Sequence, residues 1–179
     1  MSPPELQRAG KRLAERVACL DCFRRAESVA ASLAFDGEID TADTVHMAWD
    51  QGKSVYLPVL RPGRTLLFAP YTPTTTLKSN RFGIPEPVVD ETKMVTGQSL
   101  DLVLVPLVAF DEKGCRLGMG GGYYDRSFAF LLRRPDLCKP ILLGAAFELQ
   151  KVAELIPQAW DVPLHGIVTE DRTYPIRLD

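Results

Sequence analysis

Long apolar runs are missing from this sequence, and no stretch is long enough to cross a lipid bilayer. The N-terminal segment, residues 1–17, is polar with a helical pattern and lacks the apolar core of a signal peptide. We therefore expect a cytoplasmic protein that does not associate with membranes.

The chain also lacks a large excess of charge of either sign. The chain has 21 Lys and Arg residues against 23 Asp and Glu residues, which gives a formal net charge of -2. This balance excludes a surface that is basic throughout, so we expect no nucleic-acid partner. An anion such as a phosphate would have to be bound at a site built locally.

Cysteine and histidine are scarce, with four and two residues respectively. Cys19 and Cys22 form one C-x-x-C pair, but no second pair or nearby histidine completes a tetrahedral metal site. We interpret both as free thiols near the end of a helix, which suits a reducing compartment. Neither His46 nor His165 has an evident Ser or Cys partner, which argues against a catalytic triad.

The 179 residues, 46% of them hydrophobic, are enough for one domain with a substantial core, residues 1–179. Strands and helices are predicted to alternate, which favours an α/β fold with three layers: a mostly parallel, twisted, Rossmann-like sheet with helices on both faces. The predicted strands are residues 28–35, 55–60, 65–69, 102–110, 141–147 and 165–169. The predicted helices are residues 3–22, a second helix between Thr41 and Gly52, residues 123–132 and a short piece at 152–155, with a long, largely irregular excursion at 71–98.

A glycine-rich loop follows the predicted strand 102–110, at the strand end where α/β sheets bind ligands. Its glycines allow backbone N–H groups to approach a phosphate, and the next helix would add its positive end. Arg116 could add a charged contact, and Asp125 could hold magnesium. The loop matches neither the P-loop nor the dinucleotide-binding pattern. The alternative is a flexible turn without a ligand. The glycines are Gly118, Gly120, Gly121 and Gly122.

This region resembles the signature of the 5-formyltetrahydrofolate cyclo-ligase family. The matching run is VPLVAFDEKGCRLGMGGGYYDR, residues 105–126. Further segments match in the expected order, so that the resemblance extends over about residues 3–169. These segments are DGEID at 36–40, VYLPV at 55–59, NRFGIPEP at 80–87, WDVPL at 160–164 and VT at 168–169.

The resemblance implies a fold similar to the sugar-phosphate isomerase/CoA-transferase superfold. It also implies an ATP-dependent ligase that converts 5-formyltetrahydrofolate to 5,10-methenyltetrahydrofolate, with release of ADP and phosphate. The γ-phosphate activates the formyl oxygen, the 10-nitrogen attacks the activated carbon, and phosphate leaves. This chemistry needs two aligned substrates and neutralised phosphoryl charge, not a protein nucleophile. ATP and 5-formyltetrahydrofolate are the expected partners, magnesium the expected cofactor, and a monomer the expected state.

The resemblance also assigns roles to single residues. The catalytic residues it implies are Arg116 and Tyr123. The implied folate contacts are Leu33, Glu38 and Tyr123, with Phe82 and Ile84 as weaker candidates to cover the pterin ring. The implied magnesium ligands are Asp125 and Asp161. The implied ATP-binding residues are Arg116, Leu117, Gly118, Met119, Gly120, Gly121, Gly122, Tyr123 and Tyr124.

Each of these residues also has an ordinary structural interpretation. Glu38 could be a solvated turn residue, Asp161 could cap a local turn, and Asp125 could be an acid favoured in the first turn of a helix. Tyr123 and Tyr124 could be core aromatics, and Leu33 is apolar enough for the core in any case.

Two departures from the family pattern leave other functions open. Family members usually begin with a further basic helix, which the resemblance implies is missing here. In addition, Met119 stands where many members carry Arg. One alternative is therefore a truncated or low-activity protein that binds folate or nucleotide. Another is a different α/β enzyme for phosphorylated ligands, because one fold hosts many functions.

Overall fold

A seven-stranded sheet forms the centre of the structure, a computed structural model that describes residues 1–134 and 136–175. Two small hairpins accompany the sheet. In chain order the strands are β1 (Ser28–Ala30), β2 (Ser54–Arg61), β3 (Thr65–Pro70), β4 (Leu77–Ser79), β5 (Pro85–Pro87), β6 (Leu102–Pro106), β7 (Ala109–Phe110), β8 (Arg116–Leu117), β9 (Ile141–Ala145), β10 (Gly166–Val168) and β11 (Thr173–Tyr174). The helices are α1 (Pro3–Ala18), α2 (Asp21–Arg25), α3 (Ala42–Asp50), α4 (Tyr123–Phe128) and α5 (Phe130–Arg133), with 3₁₀ turns at Glu91–Lys93, Gly97–Ser99 and Glu148–Gln150.

The strand order of the large sheet is β11-β10-β9-β6-β1-β2-β3. The central strands from β10 to β2 pair in parallel, and only the edge strands β3 and β11 pair antiparallel. This confirms the mostly parallel sheet. The carboxyl ends of β1, β6 and β9 therefore lie at the same edge, and the loops after them can build one site.

Apolar side chains cover both faces of the sheet. On one face α1 and α3 bury Leu13, Val17 and Val45 in a cluster with residues of the central strands. On the other face α4 places Phe128 against Phe68 of β3 in a second cluster. Helices therefore lie on both faces, as the alternation of elements predicts. In the part of the chain that the structure describes, no helix is both long enough and apolar enough to cross a membrane.

Several element boundaries differ from the sequence prediction. The first helix ends at Ala18 and a separate short helix follows it, the helix 123–132 is divided at Ala129, and the excursion 71–98 contains the β4–β5 hairpin. The apolar stretch 102–110 is also divided. It leaves the large sheet after Pro106, and Ala109 and Phe110 pair instead with β8.

The predicted helical piece at 152–155 is wrong. The N–H of Val152 donates to the carbonyl of Phe110, and the N–H of Leu155 donates to the Asp111 carboxylate. Because these donors are directed across to β7 and the turn after it, they are not available for helical hydrogen bonds. The nearby helical turn forms earlier, at Glu148–Gln150.

Candidate active site around the glycine-rich loop

The glycine-rich loop, residues 118–122, connects β8 to α4 and contains glycines with different structural needs. Gly120 and Gly122 have φ angles of +80° and +65°, a region that glycine adopts without strain. A Cβ added at Gly121 would lie 2.7 Å from the Tyr123 ring. A Cβ added at Gly118 or Gly120 would meet nothing within 4 Å. Backbone geometry thus explains Gly120 and Gly122 and packing explains Gly121, whereas the space beside Gly118 is open to a ligand.

The backbone N–H groups of this loop are free. Within residues 1–134 and 136–175, none of the five N–H groups of residues 118–122 donates a hydrogen bond to protein. Successive free N–H groups in a loop that contains left-handed residues form a concave site for an anion. The helix that follows has six residues, so its positive end adds less than the sequence predicts.

Arg116 and Asp125 form a tightly held pair at the base of the loop. Arg116 Nη2 lies 2.5 Å from Asp125 Oδ1, and the Arg116 side chain is only 7% exposed. The guanidinium also donates to the carbonyl of Val162 through Nη1, and the N–H of Val162 donates to Asp125 Oδ1 at 3.0 Å. The pair therefore ties β8, α4 and the segment before β10 together. In this structure Arg116 faces Asp125 and backbone, and the contact with a phosphate stays a prediction.

Asp161 lies next to Val162 and hence beside this pair. Its Oδ2 accepts the N–H of Gln158 at 2.8 Å. Asp161 therefore caps a local turn, as its ordinary structural interpretation predicts. Among the described residues, no group donates to Asp161 Oδ1 or Asp125 Oδ2. Magnesium is commonly bound by one or two carboxylates together with substrate phosphates, so two carboxylates with one free oxygen each fit this ion. In that same part of the chain, no group of three or more His, Cys, Asp or Glu side chains could hold a metal.

Glu38 lines a cavity of about 290 Å³ on the loop after β1. The turn before it has positive φ angles at Asp36 and Gly37, of 48° and 84°. Burial raises the pKa of Glu38 to about 7, the Phe35 backbone opposes this shift, and the charge of Asp36 adds to it. Glu38 is therefore half-buried, not fully solvated as in an open surface turn. The other residues that line the cavity are Leu6, Ala34, Phe35, Asp36, Gly37 and Asp40.

The charges of both Glu38 and Arg116 act on the Tyr124 hydroxyl. Burial raises the pKa of this hydroxyl, the negative charge of Glu38 raises it further, and the charge of Arg116 lowers it. The hydroxyl is thus within electrostatic range of both side chains, although they are 78 positions apart in the sequence. The structure thereby brings the predicted folate and phosphate sites into one region.

The remaining predicted residues occupy different surroundings. Tyr123 packs over Gly121 at the start of α4 and is half-buried. The predicted position of Leu33 on a strand is wrong, because Leu33 lies three positions beyond the end of β1. Leu33 also does not line the Glu38 cavity. Leu117 and Met119 are both more than half exposed.

The tip of the β4–β5 hairpin comes close to the Glu38 cavity. Gly83 adjoins the Phe35 ring, because a Cβ added there would lie 3.9 Å from it. Beside Gly83, Phe82 is 51% exposed and carries the Arg81 guanidinium over its ring. Ile84 is half-buried in the same turn. This position suits the predicted covering of a ring bound in the cavity.

A second cavity, of about 510 Å³, lies on the glycine-rich loop itself and contains residues that sequence reasoning missed. Arg126, Arg133 and Trp160 contribute to its wall together with Asp125. Two of them stand within the matched motifs, at 126 and 160, but nothing in their spacing shows that they share a cavity. The other residues that line the cavity are Gly120, Gly121, Gly122, Ala129 and Leu132.

Asp111 is not among the site residues predicted from the sequence, and it stabilises the turn that precedes the glycine-rich loop. Its side chain is buried, and its carboxylate accepts the N–H groups of Lys113, Cys115 and Leu155, each at 3.0 Å. These bonds fix the turn between β7 and β8 and anchor the segment that continues to Asp161. A carboxylate that accepts three backbone donors is well suited to such a position.

We expect Asp111→Asn to destabilise the protein by about 1–3 kcal/mol, since an amide nitrogen cannot accept the hydrogen bond of a backbone N–H. Thermal unfolding measures this loss. Asp136→Asn is the matched control, because Asp136 is exposed and pairs with exposed Arg134. Equal melting temperatures for the two variants would show that Asp111 does not have this supporting role.

Two of the cysteines and one histidine noted from the composition lie outside the two cavities. Cys19 and Cys22 are free thiols, exposed and half-buried. His165 Nδ1 accepts the N–H of Leu142 at 2.9 Å, and burial lowers the pKa of this histidine. His165 therefore has a structural role between β9 and β10.

The fold and the loop are typical of an α/β protein that binds a phosphorylated ligand. Comparison with known proteins narrows this class. The profile of the 5-formyltetrahydrofolate cyclo-ligase family matches residues 1–170, and the chain belongs to this family.

Relatives and solved structures agree with this assignment. The chain is 40% identical to the 5-formyltetrahydrofolate cyclo-ligase of Escherichia coli K12 over 176 residues, which is 97% of this chain and 94% of the relative. It is 44% identical to that of Haemophilus influenzae over 147 residues, 81% of this chain and 76% of the relative. The NMR structure of the Aquifex aeolicus 5,10-methenyltetrahydrofolate synthetase superposes with a TM-score of 0.80 at 31% identity, covering 99% of this chain and 86% of that one. The synthetase of Mycoplasma pneumoniae, at 22% identity and a TM-score of 0.72 over 95% of this chain and 90% of that one, supports the fold alone.

Proposed function

We propose that the chain catalyses the ATP-dependent cyclisation of 5-formyltetrahydrofolate to 5,10-methenyltetrahydrofolate, with release of ADP and phosphate. The observation that carries the proposal is the loop at residues 118–122, whose five N–H groups donate to no described residue and which lies beside the Arg116–Asp125 pair. Tyr124, which follows the loop, has a hydroxyl whose pKa is raised by the charge of Glu38. This arrangement presents a phosphate site and a cavity for an organic ring to one another. Family membership supplies the reaction that uses both.

The residues of the site contribute in two ways: they align the two substrates, and they offset the negative charge of the phosphates. The loop N–H groups bind the ATP phosphates and hold the γ-phosphate in place for transfer to the formyl oxygen. Arg116 adds a fixed positive charge next to the loop. Glu38, when ionised, accepts hydrogen bonds from the N–H groups at the edge of the pterin ring. Tyr123 and the hairpin tip at Phe82 then cover the reacting groups and exclude water.

Asp125 and Asp161 are the residues that would hold magnesium beside the phosphates. When bound, the ion supplies positive charge that offsets the charge of the β- and γ-phosphates. The pair with Arg116 orients the Asp125 carboxylate for this role and leaves its Oδ2 free. The protein thus positions the ligand atom before the nucleotide arrives.

The direct test mixes the purified chain with 5-formyltetrahydrofolate, ATP and magnesium, and follows methenyltetrahydrofolate absorbance and ADP together. We expect equal amounts of both products and no absorbance change without ATP. ADP formation that does not depend on the folate would contradict the proposal. Binding of both substrates without product would favour the low-activity binding protein instead.

Gly118→Ala should separate phosphate binding from folding. Nothing lies within 4 Å of a Cβ at this position and its φ angle is not in the left-handed region, so we expect an unchanged melting temperature. The methyl group would enter the space in front of the free N–H groups, and we expect the KM for ATP to rise about tenfold or more. Initial rates at varied ATP measure the effect.

Gly97→Ala is the contrasting control for that variant. A Cβ there would lie 2.4 Å from the Phe128 ring in the second core cluster. We expect it to cost stability without a selective change in the KM for ATP. A KM for ATP that is unchanged by Gly118→Ala would remove the loop from the phosphate site.

We propose a monomer that acts in the cytoplasm, where a reducing environment suits four free thiols. Light scattering coupled to size-exclusion chromatography should then give the chain mass of 19.9 kDa.

A further inference from the structure

We propose that Asn80 and Glu86 are positioning residues: together they hold the tip of the β4–β5 hairpin, residues 80–84, beside the Glu38 cavity and thereby set the affinity for the folate. This inference rests on the proposed function and adds to it the residues that fix the cover of the folate. Both residues lie in the matched segment 80–87, but the resemblance assigns a role to neither.

The tip is a closed turn built around Asn80. The side-chain Oδ1 of Asn80 accepts the N–H groups of Phe82 and Ile84, at 2.9 and 3.1 Å. The Asn80 carbonyl accepts the N–H of Gly83 at 3.0 Å, and the Asn80 N–H donates to the Ile84 carbonyl at 2.9 Å. Gly83 has a φ angle of +82°, which glycine adopts without strain. Asn80 therefore fixes the backbone from which the Phe82 side chain projects.

Glu86 attaches this turn to the large sheet. Its Oε1 accepts the side-chain Nδ2 of Asn80 at 2.8 Å and the backbone N–H of Leu60 in β2 at 2.9 Å. β1 pairs with β2 only as far as Tyr56, so among the described strands none reaches Leu60 on that side of β2. A carboxylate oxygen accepts hydrogen bonds from two donors, and Glu86 thus takes the place of a pairing strand.

The backbone of β5 does not provide this attachment. β5 consists of Pro-Glu-Pro, and proline has no N–H to donate. β5 pairs with β4 in a separate two-stranded sheet. Among the described residues, the bond from Leu60 to Glu86 is the only hydrogen bond between residues 77–87 and the large sheet. Loss of this bond should therefore release the tip and leave the core in place.

The tip that is held in this way lies next to the cavity that contains Glu38. Gly83 adjoins the ring of Phe35, which lines the cavity. Phe82, beside Gly83, is more than half exposed. An exposed aromatic ring at the edge of a cavity is suited to contact with a bound organic ring. A shift of about 1 Å in the tip would weaken such a contact, so the anchor controls the affinity.

Asn80→Ala removes the acceptor of two N–H groups of the tip and the donor to Glu86. We expect the KM for the folate to rise about tenfold. The KM for ATP and the melting temperature should change little, because no residue of 77–87 belongs to either core cluster. Ser79→Ala is the matched control, since Ser79 is exposed in the same hairpin and its hydroxyl bonds to no described residue. Initial rates at varied folate and varied ATP measure both constants.

Exchange of the donor and the acceptor tests the contact itself. Glu86→Gln keeps a side-chain oxygen for both donors and should retain most of the affinity, whereas Glu86→Ala should match Asn80→Ala. Asn80→Asp places a second carboxylate against Glu86 and should raise the KM for the folate about tenfold. In Asn80→Asp/Glu86→Gln the new amide donates to the new carboxylate, so most of the affinity should return. Effects that simply add in this double variant would contradict the contact.

A second double variant tests whether Asn80 acts through the tip. Phe82→Ala should itself raise the KM for the folate, because it removes the ring that the anchor positions. Asn80→Ala should then have little further effect in that background. Full additivity of the two substitutions would contradict the positioning role.

Calorimetric titration with 5-formyltetrahydrofolate in the absence of ATP separates this inference from the proposed function. An inactive wild type whose folate binding weakens about tenfold in Asn80→Ala, and is restored in the exchanged pair, would overturn the reaction and retain the positioning role. An active wild type with the same KM for the folate as Asn80→Ala and Glu86→Ala would overturn the positioning role and retain the reaction.

Discussion

Arg116→Gln should lower turnover by about 10²–10³-fold, because it removes a fixed positive charge beside the phosphate loop and releases the Asp125 carboxylate. Arg116 is the guanidinium that pairs with Asp125 and also donates to the Val162 carbonyl. Steady-state kinetics at saturating ATP and folate measure the change. The effect should appear mainly in kcat if the charge acts on the transferring phosphoryl group.

The same substitution should also cost stability. It leaves Asp125 without its partner, and the Asp125 side chain is 22% exposed, so the loss should be smaller than for a fully buried pair. We expect a decrease of about 2–3 kcal/mol in the free energy of unfolding. Arg134→Gln is the matched control, since its pair with Asp136 has side-chain exposures of 61% and 63% and surface pairs contribute little.

The double variant Arg116→Gln/Asp125→Asn distinguishes support from catalysis. Removing both charges eliminates the uncompensated carboxylate, so stability should recover most of the loss. Turnover should not recover, because the charge next to the phosphates and the Asp125 carboxylate proposed to hold magnesium are both absent. A double variant with wild-type turnover would show that neither Arg116 nor Asp125 takes part in the reaction.

Glu38→Gln should stabilise the unliganded protein at pH 8 and weaken its binding of the folate. Burial raises the pKa of Glu38 from 4.5 to about 7, so above pH 7 the folded protein carries a poorly solvated charge. A glutamine has no such charge. The ionised Glu38 thus destabilises the unliganded protein, as groups with a perturbed pKa at functional sites often do, and we expect its carboxylate to contact the substrate.

The pH dependence of this effect has a definite sign. Because the folded-state pKa is raised, the folded protein binds the proton more tightly than the unfolded chain does. The resulting stabilisation is complete below pH 4.5 and is lost as pH rises through about 7. At pH 8 the variant should therefore be more stable than the wild type by about 1–2 kcal/mol, since partial exposure of Glu38 to solvent screens its charge, and below pH 4.5 the two should be equally stable. Urea unfolding at both pH values measures this difference.

Substrate binding should change in the opposite direction. The ionised carboxylate is the form that accepts hydrogen bonds from the pterin edge, so the KM for the folate in the wild type should fall as pH rises from 6 to 8. Glu38→Gln should raise this KM about 10- to 100-fold at pH 8 and abolish its pH dependence. Glu154→Gln, at an exposed pair with Lys113, is the control. A wild-type KM for the folate that is independent of pH would exclude Glu38 from the site.

The architecture could be predicted where periodicity and end signals agree. Thr41 precedes α3 and Gly52 follows its C-cap with a φ angle of +72°, as the sequence indicates. The apolar stretch 102–110 could not be divided correctly, because its composition is uniform while its pairing is not. Pairing of β7 with β8 depends on contacts formed only in the folded chain. The same holds for residues 152–155, whose N–H groups go to Phe110 and Asp111.

The candidate site shows a similar division. The glycines and the acids near them could be found from the sequence, since the motif is continuous. The contact of Val162 with both Arg116 and Asp125 joins residues far apart in the chain and could not be predicted from spacing. The raised pKa of Glu38 depends on burial, which a polar turn such as DGEID does not indicate. The position of Trp160 on a cavity wall could not be predicted, because the cavity forms between residues 120–133 and a separate segment that contains Trp160.

The proposed reaction is tested most directly by the fate of the formyl oxygen. If the γ-phosphate is transferred to that oxygen and phosphate then leaves, the bond between carbon and oxygen breaks and the oxygen departs with phosphorus. The measurement uses 5-formyltetrahydrofolate labelled with ¹⁸O in the formyl group, together with ATP and magnesium, and mass spectrometry of the inorganic phosphate. We expect one labelled oxygen in each phosphate released. Unlabelled phosphate, with the label in water, would contradict phosphoryl transfer to the folate.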